Sequence, residues 1–359
     1  MKKIFLGSLL LFCWILLTAE SDPERFRLVH SDKLYVSNLE SGQILELNGK
    51  VHFFYGDTEF KSDRAMILDG PKIARLSGRV EVKNDSLNLV ADSLAYYRIP
   101  QVLNMGGRVR LTQSTKGGML RWMQGDYGIY DQAKDTFTVW SKVSAYDQAE
   151  NAKASCGYAF WDRQKAYAYL IEQPVISAGV SDTLTIKADK MELFEQEQKL
   201  IATFNVEVLN RDYNASSDFL IYFAKDERAV FTGKPKFFND FATATAMEFQ
   251  LWLQDRKIKR AALLDSCEVH FAPSELEEQE NWVRAKNIEL DFVDDRIEGF
   301  EAEDEVSYYF LQEEKEKQDF FINSASGQIL RAKFDSDNKL KIMNMQGGIR
   351  GRYIFKNDS

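Results

Sequence analysis

The sequence predicts an all-β protein of about ten repeats of roughly 30 residues, stacked as bent strands in one long, folded sheet. Aromatic residues make up 13% of the chain, and such side chains favour strands. A small residue, usually followed by Asp, recurs about every 30 residues. After most of these pairs, apolar residues alternate with polar ones, which is typical of a strand with one buried face.

The composition limits the class of protein. The 359 residues include 3 Cys and 6 Pro, and the formal net charge is −9. A 45% hydrophobic and 28% charged chain is typical of an ordered, soluble protein, and three Cys exclude a disulfide-stapled small fold. An acidic protein is a poor ligand for DNA and RNA, so we expect no nucleic-acid partner.

The N-terminus has the layout of a secretory signal peptide. Met1-Lys2-Lys3 is positively charged, Ile4 to Leu17 is an apolar run, and small residues follow at Ala19 and Ser21. We assign residues 1–21 to this peptide, with an uncleaved N-terminal anchor as the alternative. The mature chain, 22–359, divides into halves 22–185 and 186–359 that could also be continuous. We expect its two cysteines to be separate thiols.

Each repeat starts at an anchor pair, a small residue and its successor. Apolar residues follow two and four positions after most pairs, as in Leu94 and Tyr96, while the tenth repeat fits loosely and resembles a cap. The ten pairs are Ser31-Asp32, Ser62-Asp63, Ala91-Asp92, Gly125-Asp126, Cys156-Gly157, Ala188-Asp189, Ser217-Asp218, Ala246-Met247, Ala285-Lys286 and Ala325-Ser326.

A second strand in each repeat has a small residue at its middle, as at Gly49, Gly78, Gly107, Ser141 and Gly233. Glycine inside a strand marks a kink or a bulge, so these positions predict one sharp fold line down the sheet. Basic residues follow directly and should face outward at the bend: Lys50, Arg79, Arg108, Lys142 and Lys234. Stacked like charges cost stability, so these residues either contact an anion or lie on a solvated face with acids such as Glu81 between them.

Three segments carry a family resemblance: Phe60 to Ala65, Leu76 to Val82, and Leu89 to Tyr97. They match a recurring A-D-x-h-x-Y and G-x-V-x-V pattern, in which h is apolar. The pattern is strongest over 30–112 and returns at 187–238. The chain therefore resembles the OstA-like family, the LptA, LptC and LptD N-terminal domain proteins of periplasmic lipopolysaccharide transport.

The resemblance implies an elongated antiparallel β-jellyroll of V-shaped strands in the periplasm, associated with either membrane through its partners. An LptA-like protein would hold the acyl chains of lipid A in an interior groove and carry lipopolysaccharide toward the outer membrane. Its sheet edges would pair with other OstA-like jellyrolls, and the basic residues could contact phosphates or acidic sugars. Small residues at Ala65, Gly128 and Ala159 favour an open groove. The candidate groove residues are Leu34, Val36, Val51, Ile67, Val80, Leu94, Tyr96, Val109, Met191, Leu193 and Phe249.

Other function classes remain open. A structural or adhesive β-solenoid would have a closed core and no lipid ligand, and an accessory scaffold of the same assembly would never touch lipid. An enzyme is disfavoured, because the sequence has no metal-spaced His/Cys/Glu cluster, Gly-rich phosphate loop or nucleophile elbow. The Asp294-Asp295 pair falls in a predicted turn. We therefore expect no catalytic residue, metal or cofactor.

Overall fold

The computed structural model describes residues 26–40, 42–84, 87–114, 117–179, 183–239, 242–254, 257–271, 281–293, 296–314, 319–335 and 340–356. The proposed signal peptide and the Asp294-Asp295 pair lie outside these residues. Strands account for most of the described chain, as predicted. None of the residues in these ranges forms a helix that is long and apolar enough to cross a membrane.

The described residues form 26 strands in chain order. Their bounds are β1 Phe26–His30, β2 Lys33–Leu39, β3 Gly42–Tyr55, β4 Thr58–Leu68, β5 Ile73–Lys83, β6 Asn88–Tyr97, β7 Val102–Ser114, β8 Leu120–Asp131, β9 Thr136–Asp147, β10 Ala152–Asp162, β11 Tyr167–Ile171, β12 Val175–Ala178, β13 Leu184–Lys187, β14 Lys190–Phe194, β15 Lys199–Leu209, β16 Asn214–Phe223, β17 Arg228–Thr232, β18 Lys236–Phe238, β19 Ala242–Thr245, β20 Glu248–Gln254, β21 Lys257–Phe271, β22 Asn281–Val293, β23 Arg296–Glu314, β24 Asp319–Phe334, β25 Leu340–Gln346 and β26 Arg350–Lys356.

The strands pair antiparallel with neighbours close in the chain, from β1 to β26. Six times, two short strands together span one longer neighbour, as β1 and β2 both pair with β3. The same holds for β11/β12, β13/β14, β17/β18, β19/β20 and β25/β26. We call each long strand, or each such pair of short strands, a rung. Over the described ranges the 26 strands therefore make 20 rungs. Pairing continues across residue 185, between β12 and β13.

Each rung bends at a bulge, which confirms the predicted fold line. Between β3 and β4 the register shifts so that Gly49 and Lys50 both face Asp63. Gly49 and Lys50 are in the left-handed region, at φ 82° and 43°. Two residues facing one is the definition of a β-bulge, and glycine adopts positive φ without a steric cost. We call this position the corner.

The corner folds the sheet into two facing layers. Layer 1 contains the part of each strand on the side of the corner where β4 carries Phe60. Layer 2 contains the part on the other side, where β4 carries Ala65. Rings from the two layers meet in the interior, where Phe60 and Tyr96 stack with centroids 5.4 Å apart. A continuous apolar core lies between the layers, and each fully buried large side chain contributes about 1.5–3 kcal/mol. Its largest members are Phe53, Phe60, Phe137, Phe231 and Phe249.

The first nine anchor pairs lie at corners, but the tenth was placed wrongly. In β24 the corner falls at Gly327 and Gln328, two residues after the predicted Ala325-Ser326. Gly347, at φ 82°, lies so close to Gln328 that an added Cβ would be 2.7 Å from the Gln328 Cβ. Ala325-Ser326 resembles an anchor pair in composition, and only the strand register shows that it precedes the corner.

Candidate functional site

A cleft of about 560 Å³ opens between the two layers from β8 to β16. Its walls are mainly apolar, and charged residues lie where the layers end at the hairpin turns. The inward-facing wall residues are Met123, Ala145, Ala152, Ala154 and Ile176 in layer 1, and Trp161, Ala168, Leu170, Leu193, Leu200 and Tyr222 in layer 2. Such a space, apolar inside and charged at its mouth, can bind an amphipathic molecule.

The cleft exists because alanine replaces larger residues in one inward column of layer 1. Strand register connects Phe53, Phe60, Val82, Leu89, Leu111, Met123, Ala145, Ala154 and Ile176 as successive neighbours. Phe53 and Phe60 are fully buried, and their rings stack 5.1 Å apart. Ala145 and Ala154 occupy equivalent positions but are only half-buried. Their short side chains do not reach layer 2, so the layers separate there.

Arg121 spans the mouth of the cleft. Its Nε lies 2.7 Å from Asp147 Oδ2 in layer 1, and its Nη1 donates a 2.9 Å hydrogen bond to Glu195 Oε2, beyond β14 in layer 2. Burial alone would lower the pKa of Arg121, but Glu195 and Asp147 raise it above its usual value. The guanidinium is therefore charged, and it links the two layers electrostatically.

Three further charged groups complete the mouth. Glu150 and Lys153 are exposed at the rim, and Lys199 forms an ion pair with Glu197. The charged residues that line the cleft are thus three cations, Arg121, Lys153 and Lys199, and three anions, Asp147, Glu150 and Glu195.

The structure places one of the eleven predicted groove residues, Leu193, in the wall of this cleft. Leu34 and Val36 lie on the first described rung and are 48% and 51% exposed, because among the described residues that rung pairs with β3 alone. The other eight are buried in the core and are not among the residues that line this cleft: Val51, Ile67, Val80, Leu94, Tyr96, Val109, Met191 and Phe249. Phe249 also borders a small apolar void of about 30 Å³.

The space expected beside Ala65, Gly128 and Ala159 is filled. All three residues are buried, and a Cβ added to Gly128 would lie 2.9 Å from Val109 Cγ1. Alternation shows which residues point inward, but the facing layer decides whether space is left. The alanines at 145, 152 and 154 were the signal that the prediction missed. A second signal was Arg121, an inward-facing charge two positions before Met123.

The basic residues face solvent at the corner, as predicted, and each has left-handed backbone, with φ between 43° and 56° at Lys50, Arg79, Arg108, Lys142 and Lys234. Arg79 Nη2 lies 2.5 Å from Asp63 Oδ1, and Lys142 Nζ lies 3.5 Å from Asp126 Oδ2. The Arg79 hydrogen bond holds the pKa of Asp63 below its usual value. For Arg79, Arg108 and Lys142 the compensating acid is thus the anchor aspartate of the neighbouring rung.

The two described cysteines, Cys156 and Cys267, are buried free thiols, which confirms that they do not pair. Burial raises the pKa of each to about 12. Over the described part of the chain, no group of three or more His, Cys, Asp or Glu side chains is arranged to hold a metal ion. The absence of a catalytic site stays a prediction.

No family model and no curated protein matches the chain. Among solved structures, the chain is similar to LptH, described as the LptA-homologous periplasmic component of the lipopolysaccharide transport device from Pseudomonas aeruginosa. The two are 9% identical over 56% of this chain and 78% of LptH, with a TM-score of 0.14. A superposition this weak carries no argument about ligand or function, so the functional argument depends on the cleft and on the sequence motifs.

Proposed function

We propose that this protein is a periplasmic lipid carrier of the lipopolysaccharide-transport type, which holds acyl chains in the cleft between its two layers. The observation that carries the proposal is the cleft, an apolar interior space whose mouth is spanned by the hydrogen bond from Arg121 to Glu195. Acyl chains would enter between the layers, and the headgroup would stay in water at the charged mouth.

The chemistry of the walls suits a carrier. Burial of apolar surface contributes about 25 cal/mol per Å² without directional bonds, so a chain can enter and leave along many paths. Leu170, Ile176 and Leu200 supply such surface, and the three alanines supply the room. This arrangement offers affinity without a fixed set of polar contacts to the acyl chains.

The sequence resemblance supports the location and the partners. It implies export to the periplasm, lipopolysaccharide as the ligand and similar jellyrolls as neighbours in a bridge to the outer membrane. The first rung is consistent with such pairing, since β2 is exposed along its whole length and pairs with β3 on one side. An open edge of this kind can accept a strand from another sheet.

A structural β-solenoid is the second candidate, and one observation favours it. From β3 to β7 the interior is filled by side chains such as Phe53, Phe60, Leu103 and Leu111, each no more than 1% exposed. If the alanine-lined cleft also stayed empty in the cell, the protein would act through its outer surface and its edges.

Cross-linking in the native cell separates the two functions. A photoreactive phenylalanine analogue replaces Tyr222 in the cleft wall, and in a matched control it replaces Tyr127, an outward-facing residue that is 50% exposed. We expect a lipid adduct by mass spectrometry at position 222 and none at 127. A folded protein without an adduct at 222 would refute the carrier and favour the structural solenoid.

A further inference from the structure

We infer that the cleft holds a lipid with one or two acyl chains and a zwitterionic headgroup, the class of phosphatidylethanolamine, in place of the multi-chain, polyanionic lipopolysaccharide that the sequence resemblance implies. This inference rests on the proposed function, because it assumes that the cleft binds acyl chains. Two independent observations limit the class of lipid: the size of the cleft and the charges at its mouth.

The cleft has room for one small amphiphile. Its volume of about 560 Å³ lies within the roughly 300–1,000 Å³ that is usual for sites holding a single small molecule. Its layer 2 wall runs across β10, β11, β14, β15 and β16, which are successive neighbours. Four spacings of about 4.8 Å give a length of roughly 19 Å. One leaflet of a bilayer, half of about 30 Å, needs a chain of similar length.

The cleft is closed at both ends along the stack. Tyr130 and Phe137 are buried next to it toward the N-terminus, and Leu220 and Phe231 are buried toward the C-terminus. A larger bundle of acyl chains therefore could not extend along the stack beyond the cleft. The cleft is therefore a bounded site, which suits one or two chains.

The side chains that line the cleft include three cations and three anions, and Lys199 also pairs with Glu197 outside the lining. A polyanionic headgroup would meet Asp147, Glu150 and Glu195 as well as the three cations, and the like charges would oppose binding. A zwitterion can pair with both signs. The guanidinium of Arg121 is suited to a phosphate, which it binds through two parallel hydrogen bonds.

Arg121 and Glu195 provide the two complementary contacts. Arg121 donates a 2.9 Å hydrogen bond to Glu195 across the mouth. When a lipid phosphate binds the Arg121 guanidinium, the hydrogen bond from Arg121 to Glu195 breaks. The Glu195 carboxylate can then accept hydrogen bonds from the ammonium of the same headgroup. The exchange leaves no charge without a partner, and it selects against a headgroup that lacks the ammonium.

Native mass spectrometry of the mature protein after exposure to vesicles tests this inference. The vesicles contain equal parts of phosphatidylethanolamine and phosphatidylglycerol, with and without added lipopolysaccharide. We expect one bound phosphatidylethanolamine per protein. Glu195→Gln should lower the preference for phosphatidylethanolamine over phosphatidylglycerol roughly tenfold, the effect of losing one charge-assisted hydrogen bond. Glu207→Gln is the matched control, since Glu207 pairs with Lys187 away from the cleft.

The outcomes separate this inference from the proposed function. Bound phosphatidylethanolamine, with its preference lowered by Glu195→Gln and unchanged by Glu207→Gln, supports both. Preferential binding of lipopolysaccharide or phosphatidylglycerol overturns the zwitterionic ligand and leaves the lipid carrier standing. An unchanged preference in Glu195→Gln also overturns the assigned headgroup contact. If the folded protein takes up none of the three lipids, both proposals fall.

Discussion

Gly107→Ala should destabilise the protein by acting at one corner. Gly107 has φ 75° and lies against Asp92 of the neighbouring rung. An added Cβ would lie 2.4 Å from Asp92 Oδ2 and 2.8 Å from Asp92 Cβ. No rotation of the Asp92 side chain removes the second contact, because its Cβ is fixed by the backbone. The strands at this corner must therefore move apart.

Two terms set the size of the effect. A left-handed conformation costs an L-residue about 1–2 kcal/mol, and forcing an extra carbon into a tight contact costs about 1–3 kcal/mol. We expect a total loss of roughly 2–5 kcal/mol in the free energy of unfolding. The exposed ion pair between Arg108 and Asp92 would also be disturbed, with little further effect.

Guanidinium denaturation followed by tryptophan fluorescence measures this loss. Trp140 lies in β9 and stacks on Tyr127 of β8, the strand next to β7, so it reports on the affected rungs. Gly106→Ala is the matched control, because Gly106 is outside the left-handed region and its added Cβ would lie 3.3 Å from the Ser93 Oγ. Equal midpoints for the two variants would refute the corner as the reason for glycine at position 107.

Three further predictions concern the cleft, the thiols and the corner aspartates. Ala154→Phe should fill the cleft and abolish the lipid adduct at position 222, whereas Ala95→Phe on the outward face of β6 should not; an undiminished adduct in the first variant would exclude this cleft as the lipid site. Cys156 and Cys267, whose pKa burial raises to about 12, should react with iodoacetamide at pH 8 far more slowly in the folded than in the unfolded protein, and equal rates would show that they are accessible. The hydrogen bond from Arg108 lowers the pKa of Asp92 below 3.8, so its contribution to stability is present above that pH and is lost as the pH falls through the lowered pKa. Because the pair is exposed, Asp92→Asn should weaken the dependence of the unfolding midpoint on pH below about 4 only slightly, and a direct NMR titration in which Asp92 kept its usual pKa would contradict the pairing.

The buried residues on either side of the cleft have a consequence for transport. A groove open along all rungs would let a lipid slide from one end to the other, but the interior is filled on both sides of the cleft. In the proposed carrier the lipid would therefore stay in this cleft, and it would enter and leave through the mouth at Arg121. The protein would receive and deliver a lipid by opening between its layers.

The corner was predictable from sequence because its cause is local. A strand can turn there only if two successive residues adopt positive φ, and Gly107-Arg108 shows how glycine marks the place. The neighbouring rung approaches closely at the corner, where Asp92 lies against Gly107, so only small residues fit beside it. These requirements recur at each bend, so the repeat length follows from the spacing of these residues along the sequence. The same local criterion failed at Ala325-Ser326, where a similar pair lies just before the corner.

The residues that face inward were also predictable, since period-two alternation is a property of one strand. Ala145 and Phe53 occupy equivalent inward positions, and alternation identifies both without showing which of them leaves a space. That depends on side chains of the opposite layer, which come from distant parts of the chain. Arg121 and Glu195 meet across the mouth although 74 residues separate them. The bent, stacked strands thus follow from local backbone geometry, whereas the place and charge of the cleft depend on how two separately formed layers pack against each other.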